Sequence, residues 1–164
     1  MTIQKDLDFK NYKPTGGKLL RMYFQVEGNT IKEFKLRGDF FMHPEAEFEN
    51  LENLTYLNLR DNQLSGSIPS EIGNLLQLQF FYGYNNSFSG SIPSEIGNLV
   101  NLGTLDLNGN QLTGSLPVEI GNMVSLGSLN LQNNQISGSL PTEIGNINGL
   151  SSIRLENNQI SGSI

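Results

Sequence analysis

The side chains able to do chemistry are few. Histidine occurs once, as His43, and cysteine and tryptophan are absent. Thiolate nucleophiles, disulfide staples and cysteine zinc sites are therefore excluded. One imidazole cannot build a histidine metal cluster without help from carboxylates. His43 precedes Pro44, and no acid or base partner can be assigned to it from spacing, so a helix-entry position explains it more simply than proton transfer. Thr15-Gly16-Gly17-Lys18 sets glycine beside lysine but lacks the earlier glycine and the following Ser/Thr of a phosphate loop. It reads as a turn before a strand. Glu71, Glu95, Glu119 and Glu143 recur at a step of 24 residues. Such a column is either a stripe for calcium or a cationic partner or, more simply, a solvated outer face. No catalytic cluster, cofactor site or metal site is expected.

Whatever this protein does must be positioned by a repeat. The stretch Leu54–Leu75, LTYLNLRDNQLSGSIPSEIGNL, returns every 24 residues. Asn62, Asn86, Asn110, Asn134 and Asn158 mark the step, as do Pro69, Pro93, Pro117 and Pro141 and Gly66, Gly90, Gly114, Gly138 and Gly162. Charge divides the chain at the same place. Residues 1–50 hold eight basic and eight acidic side chains, whereas 51–164 hold Arg60 and Arg154 against eight acids and carry the whole net charge of −6. An acidic repeat is a poor match for nucleic acid or an anionic membrane. No apolar run approaches the roughly 20 residues that span a bilayer. The N-terminus, MTIQKDLDFK, lacks the apolar core of a secretory signal, so a cytoplasmic location is expected.

From Leu51 the chain resembles the plant-type leucine-rich repeat, LxxLxxLxLxxNxLxGxIPxxIGxL, in four near-complete copies and a truncated fifth. The resemblance implies an α/β solenoid with a parallel concave sheet. In each copy a pair such as Leu57 and Leu59 turns inward on a short strand, and copies stack strand on strand. Asn62 and its equivalents are expected to satisfy backbone groups left unpaired by the turn after the strand, each rung touching the next. Gly66 allows the bend that follows, Ile68-Pro69 is extended, and Pro-Ser-Glu-Ile-Gly begins a helical turn that Gly73 ends.

The scaffold leaves free the positions flanking the inward leucines. They read Tyr56, Asn58, Arg60; Phe80, Tyr82, Tyr84; Thr104, Asp106, Asn108; Ser128, Asn130, Gln132; and Ser152, Arg154, Glu156. Family members bind proteins, peptides or small signals on this concave face. Clustered exposed aromatics are usual interface anchors, so Tyr56, Phe80, Tyr82 and Tyr84, with Arg60, form the candidate hot spot. Asn58, Asp106, Asn130 and Arg154 extend the candidate surface. The competing reading is repair. The second copy has Gly83 where others place a core leucine, and Phe81 and Phe88 replace leucines there, so large rings can instead be filling a hole.

Residues 1–50 read as a small α+β segment. Leu20, Met22, Phe24 and Val26 alternate with polar residues, Gly28-Asn29 supplies a two-residue turn, and TIKEFKLRG returns. Pro44 and the acids Glu45, Glu47 and Glu49 suit the first turn of a short helix, which is expected to cap the first repeat. The run Gly16–Leu54 resembles the accessory domain of lipoate–protein ligases, closest to the free-standing subunit of archaeal two-part enzymes. The GGKL start, the hairpin and GDFFMHPE at Gly38–Glu45 carry the match, with Gly38, Asp39, Phe40 and Phe41 as its motif residues. It implies assistance in lipoate adenylation by a separate catalytic subunit.

The expected function is therefore a non-catalytic module recognising a protein or peptide. The alternative is an accessory subunit in protein lipoylation, partnered by a lipoate ligase catalytic subunit. A third possibility, an extracellular receptor fragment, draws on the glycosylation sequons at Asn53-Leu54-Thr55 and Asn85-Asn86-Ser87. The fifth copy carries no polar cap, so the expectation is either that the chain is a fragment or that its edge at Ile153, Leu155, Ile160 and Ile164 pairs with another molecule, self-association included.

Overall fold

The computed structural model of the chain describes residues 3–5, 21–27, 30–37 and 53–162. Period-two alternation produces β2 (Arg21–Glu27) and β3 (Thr30–Arg37), paired antiparallel as the sequence suggests, with a bulge at Gln25/Val26. A strand not anticipated, β1 (Ile3–Lys5), pairs antiparallel with β2; three residues are too few to show alternation. Residues 28–29 and the expected helix around 45–50 lie outside the described residues.

Each repeat opens with a three-residue strand: β4 (Tyr56–Asn58), then, after a strand β5 (Ser65–Ser67), β6 (Phe80–Tyr82). Past β7 (Ser87–Gly90) come β8 (Thr104–Asp106), β9 (Gln111–Leu112) and β10 (Ser128–Asn130). The chain continues with β11 (Ser137–Gly138), β12 (Ser152–Arg154) and β13 (Gln159–Ile160). The odd-even order sorts them into two surfaces. Strands β4, β6, β8, β10 and β12 are parallel neighbours, with Leu57, Phe81, Leu105, Leu129 and Ile153 in register at the repeat step. On the N-terminal side β3 pairs in parallel with β4, Phe34 opposite Leu57. The hairpin and the solenoid thus share one eight-stranded sheet, β1-β2-β3-β4-β6-β8-β10-β12. The remaining strands form a second ribbon in two pieces, β5-β7-β9 and β11-β13. There the sequence suggested only a bend. Gly66, at φ 90°, makes the bend, and the serines flanking it, Ser65 and Ser67, pair with Ser87 and Ser89 of the next copy.

The core lies between the two surfaces. In the first copy Leu54, Leu57, Leu59, Leu64, Ile68, Ile72 and Leu75 are buried, and most of these positions recur. Fully burying one such side chain contributes about 2 kcal/mol. Between the strands run amide columns. Asn110 Nδ2 donates to Leu107 O (2.9 Å) in its own repeat and to Gly83 O (3.1 Å) in the preceding one, while its Oδ1 accepts from the Phe88 amide (3.0 Å). Asn86, Asn134 and Asn158 repeat this pattern, so each asparagine closes its own turn and ties it to the rung before.

One expectation is corrected. Gly73 does not end a helical turn: it sits inside the 3₁₀ segment Ser70–Asn74, with an extended Pro69 before it. The same segment recurs as Ser94–Asn98, Val118–Asn122 and Thr142–Asn146. The reason for glycine is proximity to the next repeat, since a Cβ on Gly73 would lie 2.6 Å from Glu95 O and 2.7 Å from Glu95 Cβ. Its φ is not left-handed.

Gly83 is explained by its neighbours. A Cβ there would meet Leu107 Cδ2 at 2.8 Å, Phe88 at 3.3 Å and Phe81 at 3.4 Å, and both phenylalanines are wholly buried. The rings of Phe81 and Phe88 occupy the space a leucine takes elsewhere. Gly83→Leu alone is therefore expected to cost about 2–3 kcal/mol through overpacking. Adding Phe88→Leu should recover about 1 kcal/mol of that, measured as a double-mutant cycle in urea melts. Strictly additive costs would show that ring and glycine do not share the space.

Candidate functional site

Because successive residues of a strand face opposite sides, the buried middle residues of β4, β6, β8 and β10 leave their neighbours on the concave face. On β4 and β6 this places three rings together. Tyr56 lies 5.9 Å from Phe80 and 5.6 Å from Tyr82 between centroids, tilted 47° and 51°. Phe80 and Tyr82 are near-parallel, 8° apart at 6.4 Å. Phe80 remains 38% exposed. Each such ring pair adds about 1 kcal/mol beyond its burial, so the cluster is a prearranged apolar platform. Burial pushes the Tyr82 phenol above the ordinary tyrosine range; Tyr56 and Asp106 add to this, and a hydrogen bond with Thr104 opposes it. Tyr82 thus keeps its proton and stays neutral.

Beside the platform, Arg60 Nη1 donates to Tyr84 Oη at 2.9 Å, and the guanidinium carbon stands 5.7 Å from the Tyr84 ring centre. That hydrogen bond raises the Arg60 pKa further above an already cationic value. The contact of Arg60 Nε with the Asp61 carboxylate, at 3.8 Å between exposed side chains, is worth at most about 1 kcal/mol.

The other half of the face is polar and internally paired. Asp106 accepts from Asn108 Nδ2 (2.6 Å) and from Asn130 Nδ2 (3.2 Å). Gln132 donates to Glu156 at 2.8 Å; with the backbone amide of Glu156, the larger cause, it holds that carboxyl below the usual range. Asn58 and Asn130, expected as open binding positions, are buried. Each sits mid-sheet with a rung on either side: Asn58 donates to Tyr56 Oη (3.4 Å) and accepts from the Arg60 amide (3.3 Å). They hold the face in shape. Arg154 is exposed on β12.

The sequence model of the family described as leucine-rich repeat region matches residues 42–163, most of the chain. The chain belongs to the leucine-rich repeat family. Among solved structures, this leucine-rich repeat protein is similar to the ectodomain of the Arabidopsis thaliana receptor kinase GASSHO1/SCHENGEN3, in complex with CASPARIAN STRIP INTEGRITY FACTOR 2. The identity is 40% with a TM-score of 0.72, over 78% of this chain and 15% of that one. It is also similar to the Arabidopsis receptor kinase HAESA, in complex with the peptide hormone IDA and the co-receptor SERK1. There the identity is 39% and the TM-score 0.72, over 78% and 21% of the two chains. The chain thus spans about a fifth or less of the length of these receptors. A separate match, 42% identical over 45 residues, is to lipoate-protein ligase A subunit 2 of Thermoplasma acidophilum, covering 27% of this chain and 47% of that one.

The lipoate-ligase-like motif residues Gly38, Asp39, Phe40 and Phe41, like His43 and Lys18, lie outside the described residues. Within the leucine-rich repeats Glu71, Glu95 and Glu119 are half-buried and Glu143 is exposed, with Glu71, Glu95 and Glu143 accepting from the hydroxyl of the preceding Ser70, Ser94 or Thr142. No group of carboxylates among the described residues is arranged to hold a metal ion. Of the sequon asparagines, Asn53 is exposed, whereas Asn85 Nδ2 donates to Asp61 Oδ1 at 2.8 Å.

That last contact belongs to a column not anticipated from the sequence. Asp61, Asn85, Gly109, Asn133 and Asn157 all adopt left-handed backbone, and Asn157 donates to Asn133 as Asn85 does to Asp61. A signal existed, since every residue preceding the recurring asparagine is Asp, Asn or Gly, the types that tolerate this conformation.

Proposed function

We propose that this leucine-rich repeat protein is a non-catalytic recognition module that binds a protein or peptide on its concave face, anchored at Tyr56, Phe80 and Tyr82 with the Arg60–Tyr84 pair beside them. The observation that carries the reading is the division of labour in the second repeat. Phe81 and Phe88 fill the space beside Gly83, so Tyr56, Phe80, Tyr82 and Tyr84 are surplus to the core. Surplus rings held in a fixed cluster lose little conformational freedom on contact, which suits an anchor. The receptor ectodomains it is similar to are bound to peptides or protein partners, which is consistent with this assignment. Nothing among the described residues supplies a nucleophile with its base.

The test selects binders from a displayed random-peptide library on the intact chain and measures their affinity for variants. Tyr82→Ala or Tyr56→Ala should weaken the selected peptides by about 30-fold, the effect of a hot-spot residue, with circular dichroism unchanged. Peptides that bind the Tyr56→Ala/Tyr82→Ala chain as tightly as the native one would refute the anchor.

A further inference from the structure

We propose that Asn148-Gly149 is a site of spontaneous modification, at which the asparagine amide is lost through a cyclic imide and replaced by an aspartyl or isoaspartyl residue. The chain has two Asn-Gly pairs, Asn108-Gly109 and Asn148-Gly149. Glycine lets the following backbone nitrogen approach the side chain without hindrance, so from sequence both are equally exposed to this chemistry. The structure separates them.

At the first pair every reacting atom is occupied. The Gly109 amide, which would have to attack, donates to Gln132 O at 2.9 Å. The Asn108 amide nitrogen, which would have to leave, donates to Asp106 Oδ1 at 2.6 Å. Gly109 is also fixed at φ 64° inside the left-handed column. Reaction there requires a local opening that breaks hydrogen bonds on two rungs. At the second pair both residues are exposed, in the turn between the 3₁₀ segment Thr142–Asn146 and β12. The backbone bonds around it run from the Asn148 amide to Asn146 O (3.1 Å) and from the Leu150 amide to Ile147 O (3.1 Å), leaving the Gly149 nitrogen outside them. The equivalent pairs in the other copies are Glu52-Asn53, Leu76-Gln77, Val100-Asn101 and Val124-Ser125, so this chemistry is confined to one repeat.

The steps balance with water as co-reactant. The Gly149 nitrogen gives its proton to solvent hydroxide and bonds to Asn148 Cγ; the Cγ–Nδ2 bond breaks, and ammonia leaves with a proton from water. One water then opens the imide at either carbonyl. Opening at the main-chain carbonyl leaves an isoaspartyl link with one extra carbon in the main chain, inside the turn that Leu150 closes onto Ile147. Ile147 is buried, so the lengthened turn loosens the anchoring of this repeat.

The experiment incubates the intact native chain at mildly alkaline pH and follows peptides containing residues 108 and 148 by mass spectrometry. A methyltransferase that labels isoaspartyl carboxylates gives a second readout. Conversion at 148 should run at least roughly tenfold faster than at 108 in the folded chain, because a bonded site reacts only in its opened fraction. The two rates should converge in denaturant. Gly149→Ala should suppress conversion at 148. It is expected to fold, since an added Cβ meets only Leu126 O at 4.0 Å. Equal rates in the folded chain, no conversion at 148, or undiminished conversion in Gly149→Ala would each overturn the proposal.

Discussion

Asn110→Ala is expected to destabilise the chain by about 3 kcal/mol, read as a drop in the urea midpoint of the repeats. The side chain is buried, and its removal orphans the Phe88 amide and takes one of two amide donors from each of the carbonyls of Gly83 and Leu107, which keep Asn86 and Asn134. Water cannot reach the Phe88 amide without entering the core, so its full desolvation cost falls on the folded state, added to the loss of two amide–carbonyl bonds. Asn158→Ala removes the same three kinds of bond in the last described copy, where the side chain is only half-buried. There water substitutes, and the expected cost falls to about 1 kcal/mol. Equal costs at the two positions would show that the column acts by local turn geometry and not by satisfying buried backbone. A repeat array need not unfold in one step, so the full denaturation curve should be compared, with Asn158→Ala showing early loss at its own end.

Gly97→Ala should be nearly as damaging, at about 3 kcal/mol, while Gly145→Ala at the equivalent position should stay within about 0.5 kcal/mol. Both glycines stand in the same Glu-Ile-Gly-Asn sequence and the same 3₁₀ segment. A Cβ at Gly97 would collide with the carbonyl oxygen of Glu119 and lie 2.6 Å from its Cβ, and backbone cannot move aside as a flexible side chain can. At Gly145 nothing lies within 4 Å. If alanine were equally costly at both, glycine would be serving the turn itself. If it were harmless at both, the repeats would be able to slide apart at little cost. Thermal melts of the two variants beside the native chain decide among these outcomes.

The two contrasts show how far the repeat could be read in advance. The step of 24 residues, the inward leucines and the recurring asparagine are visible because each copy meets the same environment, and selection for one packing solution writes it repeatedly. The strands β2 and β3 were legible for a simpler reason: seven or eight residues are enough for alternation to show. β1 and the second ribbon were not, since segments of two to four residues carry no period of their own. Within the candidate site, the aromatic positions were found by asking which residues the scaffold leaves free. That question could not reveal that Asn58 and Asn130 are buried between rungs, nor that Asp106 is held by two amides.

By itself, then, the sequence determined the solenoid, its period, which side chains enter the core and which face carries the rings. Those properties depend on residue type and on spacing within one copy. The tertiary structure alone decided that β3 continues the repeat sheet, that Gly73 and Gly97 yield space to the next turn and that Phe81 and Phe88 fill the space beside Gly83. It also decided which Asn-Gly pair is open to attack. Apart from the packing of Phe81 and Phe88 beside Gly83, which lies within one copy, these are set by neighbours one rung away, about 24 residues along the chain but only about 4.8 Å across the sheet, a distance that no local pattern encodes.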